Sequence, residues 1–138
     1  MKLFNHVQIK VKDLKRIRKF YDSVMYALGY KMVLEIEGVV IGYGTSVHDM
    51  FEIRQFDEKS PLSEHVHLAF NASCKEDVDG FYKSAITSGG KCNGEPGFRP
   101  QYEDGYHAAF VIDPDGHNIE AVYSKKAKVP PIANSLNC

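Results

Sequence analysis

The chain of 138 residues has no tryptophan, only three cysteines and no long apolar run, and it carries no excess of either charge. Each shortage excludes something. Cys74, Cys92 and Cys138 are odd in number and lack close pair spacing, which argues against a disulfide framework or a cysteine zinc knuckle and predicts reduced thiols. Residues Met1 to Val11 alternate polar and apolar character instead of placing a charged segment before an apolar stretch. Neither a signal peptide nor a membrane span is therefore expected, and the expected location is the cytoplasm. Seventeen Lys and Arg stand against 18 Asp and Glu, a formal net charge of -1, so nothing draws the chain to nucleic acid or to an anionic membrane. A small-molecule substrate is the expected partner. Glycine-rich phosphate loops and serine-nucleophile elbows are missing as well.

What is present fits an ordinary globular protein: 43% hydrophobic and 25% charged residues, in a length suited to one domain. An offset of 61 residues superposes His6 on His67, Phe20-Tyr21 on Phe81-Tyr82, Ser23 on Ser84 and Gly29 on Gly90. A fixed offset reports a duplicated structural unit. In the first copy Val7, Ile9 and Val11 alternate as in a half-buried strand, and Leu68, Phe70 and Ala72 do so in the second. A helix follows each strand. The first is capped by Asp13 and carries Leu14, Ile17, Tyr21, Val24 and Leu28 on one face before Gly29 ends it; the second carries Val78, Phe81, Tyr82, Ala85 and Ile86 before Gly89-Gly90.

Further strands are predicted over 31–37, 39–43 and 48–55, and over 106–112 and 117–123, the last two joined at a tight turn Asp113-Pro114-Asp115-Gly116. Between Asn93 and Asp104 the glycines and prolines predict a loop. The fold class is α+β, two tandem βαβββ modules forming a curved mixed sheet around a shared cavity. The expected domain is 1–124, with modules 1–56 and 64–124 and a poorly ordered tail at 125–138.

Four residues stand where divalent-metal chemistry needs neutral imidazoles and carboxylates converging from different strands: His6, Glu52, His67 and Glu120. Glu52 shares a strand face with Met50 and Arg54, opposite Phe51 and Ile53, and Glu120 faces away from Ile119 and Ala121. One His and one Glu from each module make a two-nitrogen, two-oxygen set that suits Zn²⁺, Ni²⁺, Co²⁺, Mn²⁺ or Fe²⁺ without choosing among them. For any one of these residues taken alone, an ordinary polar position on a sheet is the commoner explanation, and it is the symmetry that raises the joint reading. His65, two residues before His67, is a competing ligand by alternation. Arg99, Tyr102 and Tyr106, on or next to the irregular loop, and His107 are weaker candidates for contact with substrate, Arg99 because a guanidinium holds carboxylates or phosphates and the tyrosines because an aromatic can cover the bound group. His117 reads as a strand-end histidine, and the basic run from Lys12 to Lys19 as a solvated helix face.

With His6-Val7 opening a strand, Asp13-Leu14 and Phe20-Tyr21 on the helix, and Asp113-Pro114-Asp115-Gly116 leading to Ile119-Glu120, the chain resembles the glyoxalase, bleomycin-resistance and extradiol-dioxygenase (vicinal oxygen chelate) superfamily over nearly its whole length. The final block, 110–123, is the most specific part. The resemblance implies metal ligands at His6, Glu52, His67 and Glu120, commonly in a homodimer. It also implies a choice of activities, since fold alone does not settle function. The leading expectation is a metal-dependent lyase or isomerase in which Glu52 or Glu120 moves a proton. The alternatives are a metal-free small-molecule binding or bleomycin-type resistance protein, and a fosfomycin-type transferase using His6, His67 and Glu120.

Overall fold

A computed structural model describes residues 3–127, 132, 135, 137 and 138. Strand β1 (His6–Val11) leads into helix α1 (Leu14–Leu28), then β2 (Lys31–Ile36), β3 (Val40–Ser46) and β4 (Asp49–Gln55). The pattern repeats as β5 (His67–Asn71), α2 (Lys75–Thr87), β6 (Lys91–Phe98), β7 (Tyr106–Ile112) and β8 (Asn118–Ser124). Two four-stranded mixed sheets result, ordered β1-β4-β3-β2 and β5-β8-β7-β6. In each, the first strand runs parallel to the fourth and the remaining pairs are antiparallel. The duplicated α+β architecture expected from the repeat is the one observed.

Local sequence accounts for most boundaries. The Asp13 carboxylate accepts from the Arg16 N–H at 3.2 Å, and Gly29 ends α1 in the left-handed conformation at φ 86°. The apolar face of α1 is buried at Leu14, Ile17, Tyr21, Val24 and Leu28. Strand alternation turns Ile9, Val11, Ile41, Phe51 and Ile53 toward the helices in the first module and Val111, Ile119 and Ala121 in the second. The two helices pack on each other, so one apolar core spans both modules. Rings bridge it, Tyr21 to Phe51 at 5.2 Å and Phe51 to Phe70 at 5.2 Å. A polar clasp adds to it: the Tyr21 hydroxyl donates to Asp113 Oδ2 at 2.5 Å, while Asp113 Oδ1 accepts from the N–H groups of Asp115 and His117. The Asp113-Gly116 turn thus anchors helix α1 as well as joining two strands.

Two expectations need correction. The stretch from Asn93 was predicted to be loop, yet β6 runs from Lys91 to Phe98. It survives Gly94, Pro96 and Gly97 because it is the outermost strand, where an absent N–H goes unmissed, and because register shifts around Gly94 absorb the irregularity. Only the turn after it is irregular. Cys74 and Cys138 are not free thiols but form a disulfide, with Cα atoms 5.8 Å apart across 64 residues of sequence; Cys92 remains free and exposed. Spacing rules look for cysteines close in the chain, and this pair is close only in the fold. The tail expected from 125 onward falls largely outside the described residues, at 128–131, 133, 134 and 136; those described near them contact the segment that opens α2. The Ile132 N–H donates to Ser73 Oγ at 2.9 Å, the Asn137 amide to Asp77 Oδ1 at 3.0 Å, and the Ser135 hydroxyl to the other Asp77 oxygen.

Candidate functional site

The face of each sheet turned away from the helices carries one imidazole and one carboxylate. In the first module β1 and β4 run in register, His6 beside Met50, Gln8 beside Glu52 and Lys10 beside Arg54, and all six side chains share that face. His6 Nε2 lies 3.7 Å from Glu52 Oε1. In the second module β5 and β8 set His67 beside Asn118 and Ala69 beside Glu120, and His67 Nε2 lies 3.2 Å from Glu120 Oε1. Both imidazoles are half exposed, at 51% and 50%, while both carboxylates are buried.

The second nitrogen of each ring explains its pose. His67 Nδ1 contacts the Asn118 carbonyl at 3.1 Å, and a carbonyl only accepts, so that nitrogen carries the proton. In a neutral ring Nε2 is then a bare lone pair aimed at a carboxylate oxygen. Two acceptors face each other, an arrangement that calls for a proton or a cation between them. His6 is set the same way, with Nδ1 at 2.9 Å from Asn5 Oδ1. An imidazole fixed through one nitrogen and presenting the other beside a carboxylate is how a metal-binding histidine is normally held. The donor sets therefore fit a divalent cation.

Within one chain the two pairs remain apart. Among the described residues the one group of three ligand-type atoms mutually close together is Cys74, Asp77 and Cys138, and its sulfurs are bonded to each other rather than available as thiolates. A hollow of about 320 Å³ lined by Asp22, Tyr26, Tyr30, Met32 and Tyr43 includes none of the four residues either.

The walls around the pairs differ. Opposite Glu52 on the neighbouring strand is Gly42, where an added Cβ would stand 2.7 Å from the Met50 sulfur and 3.2 Å from Leu34 Cβ. The equivalent position opposite Glu120 is Phe110. Its ring is stacked with His67, centroids 6.2 Å apart at 18°, and Arg99 Cζ lies 5.5 Å from the centre of the same ring. Arg99 is held there by donating to the carbonyls of Gly97 at 2.8 Å and Glu95 at 2.7 Å. The Tyr106 hydroxyl donates to Glu120 Oε2, and Tyr102 packs edge-on against Tyr106 at 5.5 Å. Burial, helped by Glu120, raises the Tyr106 hydroxyl above its ordinary pKa of 10.0, so it stays a donor at neutral pH. Arg99 and Tyr102 thus stand near the second pair.

The structure does not bring His107 there. It lies one residue from Tyr106 and so on the opposite face, buried against α2 with its Nε2 3.5 Å from Asp79 and its ring edge-on to Phe98. His65 precedes β5 in a left-handed conformation at φ 51°, which breaks the alternation that would have set it beside His67. His117 is fully buried and accepts the Val66 N–H at Nδ1. Gln8, Lys10 and Arg54 were not named as candidates from the sequence, although counting by twos from His6 and Glu52 reaches all three.

Comparison with known proteins bears on this arrangement. Residues 3–121 match the model of the Glyoxalase/Bleomycin resistance protein/Dioxygenase superfamily. A glyoxalase/bleomycin resistance protein from Albidiferax ferrireducens T118 is 30% identical with a TM-score of 0.74, over 88% of this chain and 98% of that one. A glyoxalase-related enzyme from Fulvimarina pelagi is 18% identical with a TM-score of 0.70, over 100% and 98%. A lactoylglutathione lyase from Agrobacterium tumefaciens is 18% identical with a TM-score of 0.66, over 94% and 99%. At such identities the last two speak to the fold alone. None of the curated proteins matches the chain.

Proposed function

Because the chain belongs to the glyoxalase, bleomycin-resistance and dioxygenase superfamily, we propose that it is a metal-dependent lyase or isomerase acting on a small oxygenated molecule by proton transfer. The observation that carries this reading is that each module sets an imidazole Nε2 beside a buried carboxylate, at 3.7 Å in the first and 3.2 Å in the second, with the other ring nitrogen held by an oxygen. His6, Glu52, His67 and Glu120 would hold the ion. Zn²⁺, Ni²⁺, Co²⁺, Mn²⁺ and Fe²⁺ all suit two nitrogens and two oxygens. When bound, such an ion polarises substrate oxygens and stabilises the negative charge that develops on them.

Since one chain keeps its two pairs apart, the complete set is formed between two copies, His6 and Glu52 of one beside His67 and Glu120 of the other. Homodimers with two such sites follow from two-fold symmetry. Strands β1 and β5, which carry the histidines, are both outermost in their sheets.

The two carboxylates divide the work. Glu120 is tied by the Tyr106 hydroxyl; among the described residues no hydroxyl or amide reaches Glu52, whose neighbour is His6. Glu52 is the freer group and serves as the base, taking a proton from one carbon and returning it to the next, so the carboxylate ends as it began. Glu120 with Tyr106 holds its side of the site rigid. Arg99 and Tyr102 line the substrate's approach to the second pair.

Metal content decides between this and the binding-protein alternative. Protein purified without an affinity tag should carry transition metal near one per chain by plasma mass spectrometry, and His67→Ala or Glu120→Ala should lose it. Protein that stays metal-free after incubation with all five ions, yet is stabilised by small aromatic ligands, would establish the metal-free binding reading instead.

A further inference from the structure

The helix-averted face of the first module carries a second feature, four residues beyond His6 and two beyond Glu52. Lys10 on β1 and Arg54 on β4 are in register, so two cations stand side by side on one face. Like charges in directly opposed positions repel and are disfavoured in sheets. Among the described residues neither has an ion-pair partner: the ion pairs belong to His6, Arg18, His67 and His107, and the contacts left unstated involve Asp49. Lys10 gives its ammonium to a neutral acceptor, the Gln8 side chain, which is itself in register with Glu52. Its head is thereby turned toward the candidate metal pair rather than away into solvent. The next strand over places Val40 beside Arg54, so no acid comes from that side.

We propose that Lys10 and Arg54 form an anion-binding site that receives a terminal carboxylate or phosphate of the substrate. This deepens the function proposed above and rests on it for where the other end of the substrate sits. Two strand residues separate the Gln8–Glu52 row from the Lys10–Arg54 row, a spacing of about 7 Å. A molecule spanning it bears vicinal oxygens at one end and an acidic group at the other, the shape of a short hydroxy- or oxo-acid with a second anionic terminus. Uncharged 2-oxoaldehydes lack that terminus and would leave both cations unmatched.

Three probes share a 2-hydroxy-acid chelating end: 2-hydroxyglutarate adds a distal carboxylate, 3-phosphoglycerate a distal phosphate, and 2-hydroxypentanoate neither. Calorimetric titration into Mn²⁺-loaded wild type should show one of the first two binding about tenfold or more tighter than the third, the size expected of charge-assisted hydrogen bonds. Which of them gains more identifies the group. Lys10→Met/Arg54→Met should erase the difference, and at low salt without anions that variant should melt above wild type, since a repulsion has been removed. Discrimination that persists in the double variant would overturn the site. A second arm needs no metal: millimolar inorganic phosphate should raise the melting temperature of chelator-treated wild type and not of the double variant. Equal shifts, or none, would sink the anion site whatever the metal content; a clear phosphate response in protein that never binds metal would sink the metal reading and leave the anion site standing.

Discussion

The two modules share a plan, and the differences lie on their exposed faces and at the starts of their helices. Helix α1 begins with a side-chain cap, Asp13 on the Arg16 N–H. Helix α2 begins at Cys74, whose side chain caps nothing and is instead bonded to Cys138, while the described tail residues bind Asp77 in its first turn. On the helix-averted faces the first module has glycine opposite its glutamate and a row of two cations without an ion-pair partner among the described residues, and the second has Phe110, Arg99 and Tyr106. Each copy keeps one imidazole beside one carboxylate, while the walls around the two pairs diverge. A site assembled from one half of each kind is asymmetric although each chain is a repeat.

The strongest way to break this comparison is to remove one half at a time. A chain with His6→Ala/Glu52→Ala and a chain with His67→Ala/Glu120→Ala should each bind no metal. Mixed under conditions of subunit exchange, they should recover about a quarter of wild-type content, because half the dimers become heterodimers with one intact site of two. Recovery of nothing, with heterodimers shown to form, would mean that each site closes within a chain.

The helix starts predict effects of a different size. Reducing the Cys74–Cys138 bond frees a closure of 64 residues, worth at most about 4 kcal/mol by chain entropy, whereas Asp13→Ala removes a cap worth about 1 kcal/mol. Chemical denaturation with and without reductant, run on wild type and Asp13→Ala, measures both. A reduced protein as stable as the oxidised one would show that the tail contributes nothing to the second module. Counting thiols in protein taken directly from the cell reports which form is populated there, since whether a disulfide persists follows the redox state of the compartment.

How much of this was legible beforehand follows from how far each signal reaches along the chain. The 61-residue offset reported the duplication because helix faces and strand alternation are local patterns, repeated intact. His6, Glu52, His67 and Glu120 could be paired across the repeat for the same reason, and Gln8, Lys10 and Arg54 were within reach of the same counting. The disulfide was not legible, because nothing local marks Cys138 as a neighbour of Cys74. Nor was β6, whose glycines and proline read as loop until its outermost place in the sheet is known. That the His6–Glu52 and His67–Glu120 pairs do not close on each other within one chain depends on how the modules pack, which periodicity does not report. His107 failed as a site candidate through a single step of strand parity, and His65 through one left-handed residue.

The smallest expected effect tests the asymmetry of the two carboxylates. Tyr106→Phe deletes the hydroxyl that orients Glu120, and loss of such an outer partner lowers metal affinity about tenfold or more. Tyr43 is the matched control: its hydroxyl, also raised above the ordinary tyrosine range by burial and Asp22, donates to Asp22 at 2.6 Å on the helix side of the first module. Tyr43→Phe should leave metal affinity unchanged. Because the folded pKa of Tyr106 exceeds its unfolded value of 10.0, the contribution of its hydroxyl is complete below pH 10 and declines only as the pH rises beyond it. Competitive titration with a chelator near neutral pH therefore compares wild type and variant with the donor fully protonated. An unchanged affinity in Tyr106→Phe would make Glu120 as unsupported as Glu52 and remove the reason for assigning the proton transfer to Glu52.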